Sequence, residues 1–128
     1  MRLRSCALAL PAMELEGALP NFFTINGKAY PETQTVRMRV GETLLVRFIG
    51  TNSGFIHPMH IHGGPFRIVE TDGNPVPTAG QWVKDTVNVG PGERYDVLWE
   101  AREPGKWLLH CHINHHTTNN NVEQERGG

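Results

Sequence analysis

Apolar side chains at every second position, in short runs closed by turn residues, confine this chain to β-structure from about residue 20 onward. Val36, Met38 and Val40 alternate with Arg37 and Arg39. Leu44, Val46 and Phe48 form a second set ending near Gly50, Tyr95, Val97 and Trp99 a third, and Trp107, Leu109 and Cys111 a fourth. Residues 66–70 and 84–89 read as further strands, ended by Asp72-Gly73 and Gly90-Pro91-Gly92. Asn26-Gly27, a dipeptide suited to positive φ, joins residues 22–25 to 28–30 as a hairpin. Helix signals are weak throughout and no repeat is visible. Each alternating run has one face to bury, and short strands at this spacing predict a β-sandwich.

At 128 residues the chain has room for one ordinary domain. Its 12 basic and 13 acidic side chains are interspersed, for a formal charge of -1, which gives no basic face for nucleic acid and no polybasic membrane patch. No run reaches the 18 or so apolar residues of a membrane-spanning helix. Arg2 and Arg4 precede an apolar run over 6–10 that is too short for a signal sequence and is broken by Pro11. Residues 1–20 are therefore expected to be an irregular leader or linker, and 21–128 the domain. The two cysteines, Cys6 and Cys111, do not form a disulfide framework.

All seven histidines fall in two clusters, His57, His60 and His62 in HPMHIHG, and His110, His112, His115 and His116 in HCHINHH. On an extended segment His110 and His112 point one way and Cys111 the other, so one strand would serve two sites. His60 and His62, also two apart, match the first pair, and four imidazoles converge if the two segments are neighbours. His57 precedes His60 by three positions across Pro58, where a bend would send it toward Cys111. His57, Cys111 and one downstream histidine then make a thiolate-imidazole set of the kind copper favours. Zinc accepts the same donors, but a structural zinc site leaves the surplus imidazoles unexplained. Met59 is read as a packing residue. Gly63 and Gly64 would let backbone approach the metal region or simply form a loop. Among the carboxylates, Asp85, Asp96 and Glu100 are candidates for proton delivery or for sheet edges.

The two motifs, HPMHIHG at 57–63 and HCHI followed by His116, resemble the HPxHxHG and HCHIxxH motifs of the multicopper oxidases, the laccase-like enzymes, in their C-terminal cupredoxin domain. The segment from Gly92 to Val97 is similar to that family's approach to its last copper strand. The resemblance implies an all-β fold, a cupredoxin-like Greek-key β-sandwich, over about residues 20–126. It assigns His57, Cys111 and His116 to type-1 copper, His60 to type-2 copper, and His62, His110 and His112 to the type-3 pair. His115 falls outside the ligand spacing, as a neighbouring or exposed residue. The implied reaction is oxidation of a small reducing substrate, with electrons passing through Cys111, His110 and His112 to a trinuclear cluster that reduces dioxygen to water. An extracytoplasmic location also follows from the resemblance.

Two departures from the family pattern shape the expectations. Thr117, Thr118 and asparagines stand where the family places an axial Met or Leu, and no Met follows Met59. The domain is thus expected to stop before its final strand, as a C-terminally truncated cupredoxin. The family's trinuclear cluster takes eight histidines from two domains, and this chain offers four. A second cupredoxin domain or a homo-oligomer partner is expected to supply the rest. The competing readings are a single-domain blue-copper electron carrier and an inactive fragment.

Overall fold

The computed structural model describes the backbone of residues 2–8 and, in full, residues 22–51 and 54–118. Among the described residues nine strands form two sheets. Strands β1 (Arg2–Leu8), β2 (Thr43–Gly50), β8 (Arg94–Glu100), β4 (Phe66–Thr71) and β5 (Asn74–Pro75) lie side by side in that order, with β6 (Trp82–Lys84) also paired to β4. The second sheet is β7 (Thr86–Val89), β3 (His57–Ile61) and β9 (Leu109–Cys111), with β3 central and antiparallel to both neighbours. Described helix amounts to one 3-10 turn, Thr78–Gly80, and α1, the four-residue Asn114–Thr117.

Alternation fixes the core. In the larger sheet Val46, Val97 and Ile68 are register partners in one row and Leu44, Trp99 and Phe66 in another, so identical phases on three strands turn one apolar face inward. The smaller sheet answers with Met59, Ile61, Val87, Val89 and Cys111, and all belong to one buried cluster. Phe48, wholly buried, lies with its ring centroid 6.4 Å from that of Phe66. Phe48→Ala is expected to cost about 3–5 kcal/mol, read as a lower denaturant midpoint at unchanged slope.

The opposite face of the larger sheet carries one ionic knot. Arg47 on β2 donates from Nε and Nη2 to the Asp96 carboxylate on β8, both at 2.7 Å, and from Nη2 to Glu70 on β4 at 3.1 Å. The buried Asp96 is therefore a structural partner and not a proton donor to the metal region. That contact is also the main reason the Arg47 guanidinium is held above its usual range. Glu100 is exposed, with Arg102 at 3.8 Å.

Several boundaries differ from expectation. Residues 2–8, expected as irregular leader, form β1, which pairs in parallel with β2 from Arg2 opposite Leu44 to Leu8 opposite Gly50. The unpaired edge of β2 offers a row of backbone donors and acceptors that an extended segment satisfies. Residues 36–40 form no ladder: Met38 packs on the core, but Val36 and Val40 are exposed. The run 84–89 splits at Asp85, where the chain leaves the larger sheet as β6 and enters the smaller as β7. The turn at Asn26-Gly27 forms as expected, with φ of 53° and 77° and backbone bonds between Ile25 and Lys28 of 2.9 and 3.1 Å, but the flanking residues 22–25 and 28–30 pair through that one bridge and form no strands. Residues 9–20, within the expected leader, and the tail beyond 118, where the missing final strand and axial ligand were expected, lie outside the described residues. Among the described residues no helix is long and apolar enough to cross a membrane, a statement that does not bear on β-barrels.

Candidate metal centre

Strands β3 and β9 carry the centre on their two faces. Met59 is the register partner of Cys111 and His60 of His110, so the inward phase holds His57, Met59, Ile61 and Cys111 and the opposite phase His60 and His110. His57 reaches Cys111 without the bend expected at Pro58. Three positions separate it from His60, and an odd separation on a strand already places them on opposite faces. Pro58 stays within β3, its carbonyl accepting from the His112 N–H at 2.7 Å. Met59 shares the phase of His57 and is fully buried, as a packing residue.

His116 arrives by another device. After extended Ile113 the chain turns into α1, with the His116 N–H donating to the Ile113 carbonyl at 3.0 Å. One tight turn thus returns a residue five positions downstream to the Cys111 thiol. His57 Nδ1 lies 3.8 Å and His116 Nδ1 3.4 Å from Cys111 Sγ, and the three ligand atoms lie within 4.8 Å of one another, all three residues being buried. The Cys111 thiol is free.

Burial sets the protonation of this trio. It lowers the pKa of His57 and raises that of Cys111, the latter opposed in part by a backbone hydrogen bond from Ile113. His116 falls to about 4, first through burial and then through His57 and His115 nearby. At neutral pH the site is two neutral imidazoles and a thiol, so a cation that binds there displaces a single proton, the thiol's. The donor set, two imidazole nitrogens and a sulfur shielded from water, suits copper.

A stability consequence follows for the metal-free chain. Histidines in the unfolded chain titrate near the ordinary 6.5, whereas His116 stays neutral in the fold until about pH 4. Between those values the unfolded state binds the extra proton, so stability falls as pH drops below about 6.5 and levels off near 4. The loss from His116 is expected to be on the order of 3 kcal/mol, measured by urea unfolding of chelator-treated protein at pH 7 and pH 4.5.

On the outer face His60, His62, His110 and His112 gather. Ring centroids are 4.8 Å apart for His60 and His62, 5.1 Å for His62 and His110, and 5.6 Å for His110 and His112 and for His60 with either of those two. His60 Nδ1–H donates to the Asp85 carbonyl at 2.6 Å and lies 3.1 Å from Thr86 Oγ1, while His110 Nδ1–H donates to the Cys111 carbonyl at 2.8 Å. A carbonyl can only accept, so both rings carry a proton on Nδ1 and would offer Nε2 to a metal. His62 Nε2 lies 3.0 Å from that of His110, and burial, followed by the three neighbouring imidazoles, lowers the His62 pKa.

The positioning role of Asp85 and Thr86 was not visible in the sequence, since Asp85 acts through its backbone at the sheet crossing. Phe23 and Phe55 were also missed. Phe23 stacks on His116 at 4.0 Å between centroids and 22° between planes, a contact made only in three dimensions. Gly63 serves packing: a Cβ on it would lie 2.7 Å from the Trp107 ring, and its φ is +84°. His115 is half-buried, its ring 4.4 Å from that of His116 and outside the ligand trio.

The family model for multicopper oxidases matches residues 9–123. The chain belongs to the multicopper oxidase family. It is 36% identical over 94 residues to the multicopper oxidase MmcO of Mycobacterium tuberculosis, covering 73% of this chain and 18% of that protein. It is 30% identical over 116 residues to the multicopper oxidase mco of Staphylococcus aureus, covering 88% and 26%. Among solved structures it is similar to the multicopper oxidase mgLAC, at a TM-score of 0.82 with 31% identity over 92% of this chain and 39% of that one. The blue copper oxidase from Nitrosomonas europaea gives 0.80, with 32% identity over 94% and 40%. The fold is thus the cupredoxin-like β-sandwich of multicopper oxidases, copper is the family's metal, and the buried trio fits a type-1 copper site. The chain spans about a fifth to a quarter of the two curated relatives and about two fifths of the two structures.

Proposed function

We propose that this chain is the electron-accepting copper domain of an oxidase that couples one-electron oxidation of a small reducing substrate to reduction of dioxygen to water. His57, Cys111 and His116 would hold type-1 copper, His60 type-2 copper, and His62, His110 and His112 the chain's share of a type-3 pair. Copper bound at these residues supplies one-electron redox chemistry at the first site and oxygen reduction at the second. The observation that carries this reading is the division at the end of β9, where Cys111 points into the buried trio while His110 before it and His112 just after the strand join the outer imidazoles.

The protein's contribution is positioning. Burial of the trio keeps water from the thiol and holds the ligands neutral until a cation displaces the proton. From Cys111 Sγ to either flanking ring the route is covalent, and the bond from His110 Nδ1 to the Cys111 carbonyl adds a second link to one of them. Asp85 and Thr86 fix the orientation of His60 from the neighbouring strand.

Four imidazoles make half of a trinuclear set, so a second cupredoxin domain or a second copy of this chain completes it. A lone electron carrier does not use the outer four. Oxygen uptake by the copper-loaded chain, with molecular mass measured on the same sample, tests the proposal. Uptake is expected from a multimer or from a mixture with the partner domain. A monomer that binds copper, combines with no partner domain and consumes no oxygen would favour the carrier reading.

A further inference from the structure

His116 presents Nδ1 to the Cys111 sulfur, so its other ring nitrogen, Nε2, points out of the donor trio. That edge is the one a donor would meet if it docked by hydrogen bonding to this ring. In this chain the approach is closed: Nε2 is buried and has no hydrogen-bond partner among the described residues. Phe23 lies flat on the ring at 4.0 Å, and Phe55 meets it edge-on at 5.5 Å and 87°. The two phenyl groups also hold each other, 6.1 Å apart at 88°. Phe23 is 5% exposed and sits beside the Ile25–Lys28 bridge of the hairpin, which brings it over the site. Phe22 and Ile56, next in sequence to the two covering rings, are exposed and apolar.

Resting on the type-1 reading above, we propose that Phe23 and Phe55 form an aromatic seal on His116 that sets donor specificity. The seal denies phenolic donors a hydrogen bond to Nε2 and favours donors that give up an electron across the ring stack. A metal complex of the hexacyanoferrate(II) class is such a donor: it loses one electron, the site gains one, and no bond or proton changes hands. A hydroquinone must lose a proton with its electron, and it gains most from docking directly on the imidazole.

Two measurements test the seal. In the metal-free chain, diethyl pyrocarbonate labelling mapped by peptide mass is expected to modify His116 roughly tenfold more slowly than exposed His112, with the gap closing in Phe23→Ala and persisting in Phe23→Leu. Equal labelling of His116 and His112 in the native folded chain overturns the proposal. In the copper-loaded chain, the ratio of hexacyanoferrate(II) to hydroquinone rates for bleaching the blue band is expected to drop about tenfold in Phe23→Ala. An unchanged ratio also overturns it. Circular dichroism confirms folding of each variant, and Phe55→Ala takes the place of Phe23→Ala if the latter does not fold. If copper binds without a blue band, the type-1 reading fails, and the labelling experiment still decides the seal.

Discussion

Cys111→Ser is expected to abolish the intense blue absorption of the copper-loaded chain and to weaken copper retention at the buried trio by about 100-fold or more. The blue band depends on a bond between copper and thiolate, which a hydroxyl does not reproduce. Serine is close in shape, so the fold is retained: Cys111 sits at the end of β9 opposite Met59, where an isosteric change leaves the ladder intact. Absorption and equilibrium dialysis against copper(II) check both parts. A variant that stayed blue would place the thiolate ligand elsewhere in the chain.

His110→Ala and His112→Ala are expected to separate the two sides of the chain at the end of β9. Each should leave the blue band in place, because neither ring belongs to the trio around Sγ. Each should also lower oxygen uptake by the completed assembly on the order of 100-fold or more, through loss of a ligand at the outer cluster. The combination is informative because the three altered residues are consecutive. A general disturbance of β9 would dim the blue band and oxygen uptake together, whereas opposite faces predict that only uptake falls.

Much of this was legible in the sequence because the chemistry lies on strands. Alternation alone places Cys111 opposite His110 and His112, and the matching spacing of His60 and His62 finds its pair through the β3 and β9 register. The cores of β2, β4 and β8 read equally directly, since one apolar phase runs through all three.

What escaped depends on contacts between distant segments. The division of 84–89 into β6 and β7 arises because two sheets compete for one extended run, and alternation is the same in both. Strand β1 depends on a free edge of β2 that the sequence does not reveal. The turn of α1 has no side-chain cap and only four residues, too little for a helical period to register, yet it delivers His116. Phe23, in a run that reads as an ordinary hairpin strand, covers a ring 93 positions away, and only the fold could reveal it.

One chain is expected to hold one type-1 copper at His57, Cys111 and His116. Copper content per chain, determined together with the absorption and spin-resonance spectra of the folded protein, decides the matter. The expected result is one tightly held copper per monomer with an intense blue band and the narrow copper hyperfine splitting of a thiolate site, both lost in Cys111→Ser. A tightly bound but colourless copper, with an ordinary spectrum that survives the loss of Cys111, would rule out a type-1 site at these residues.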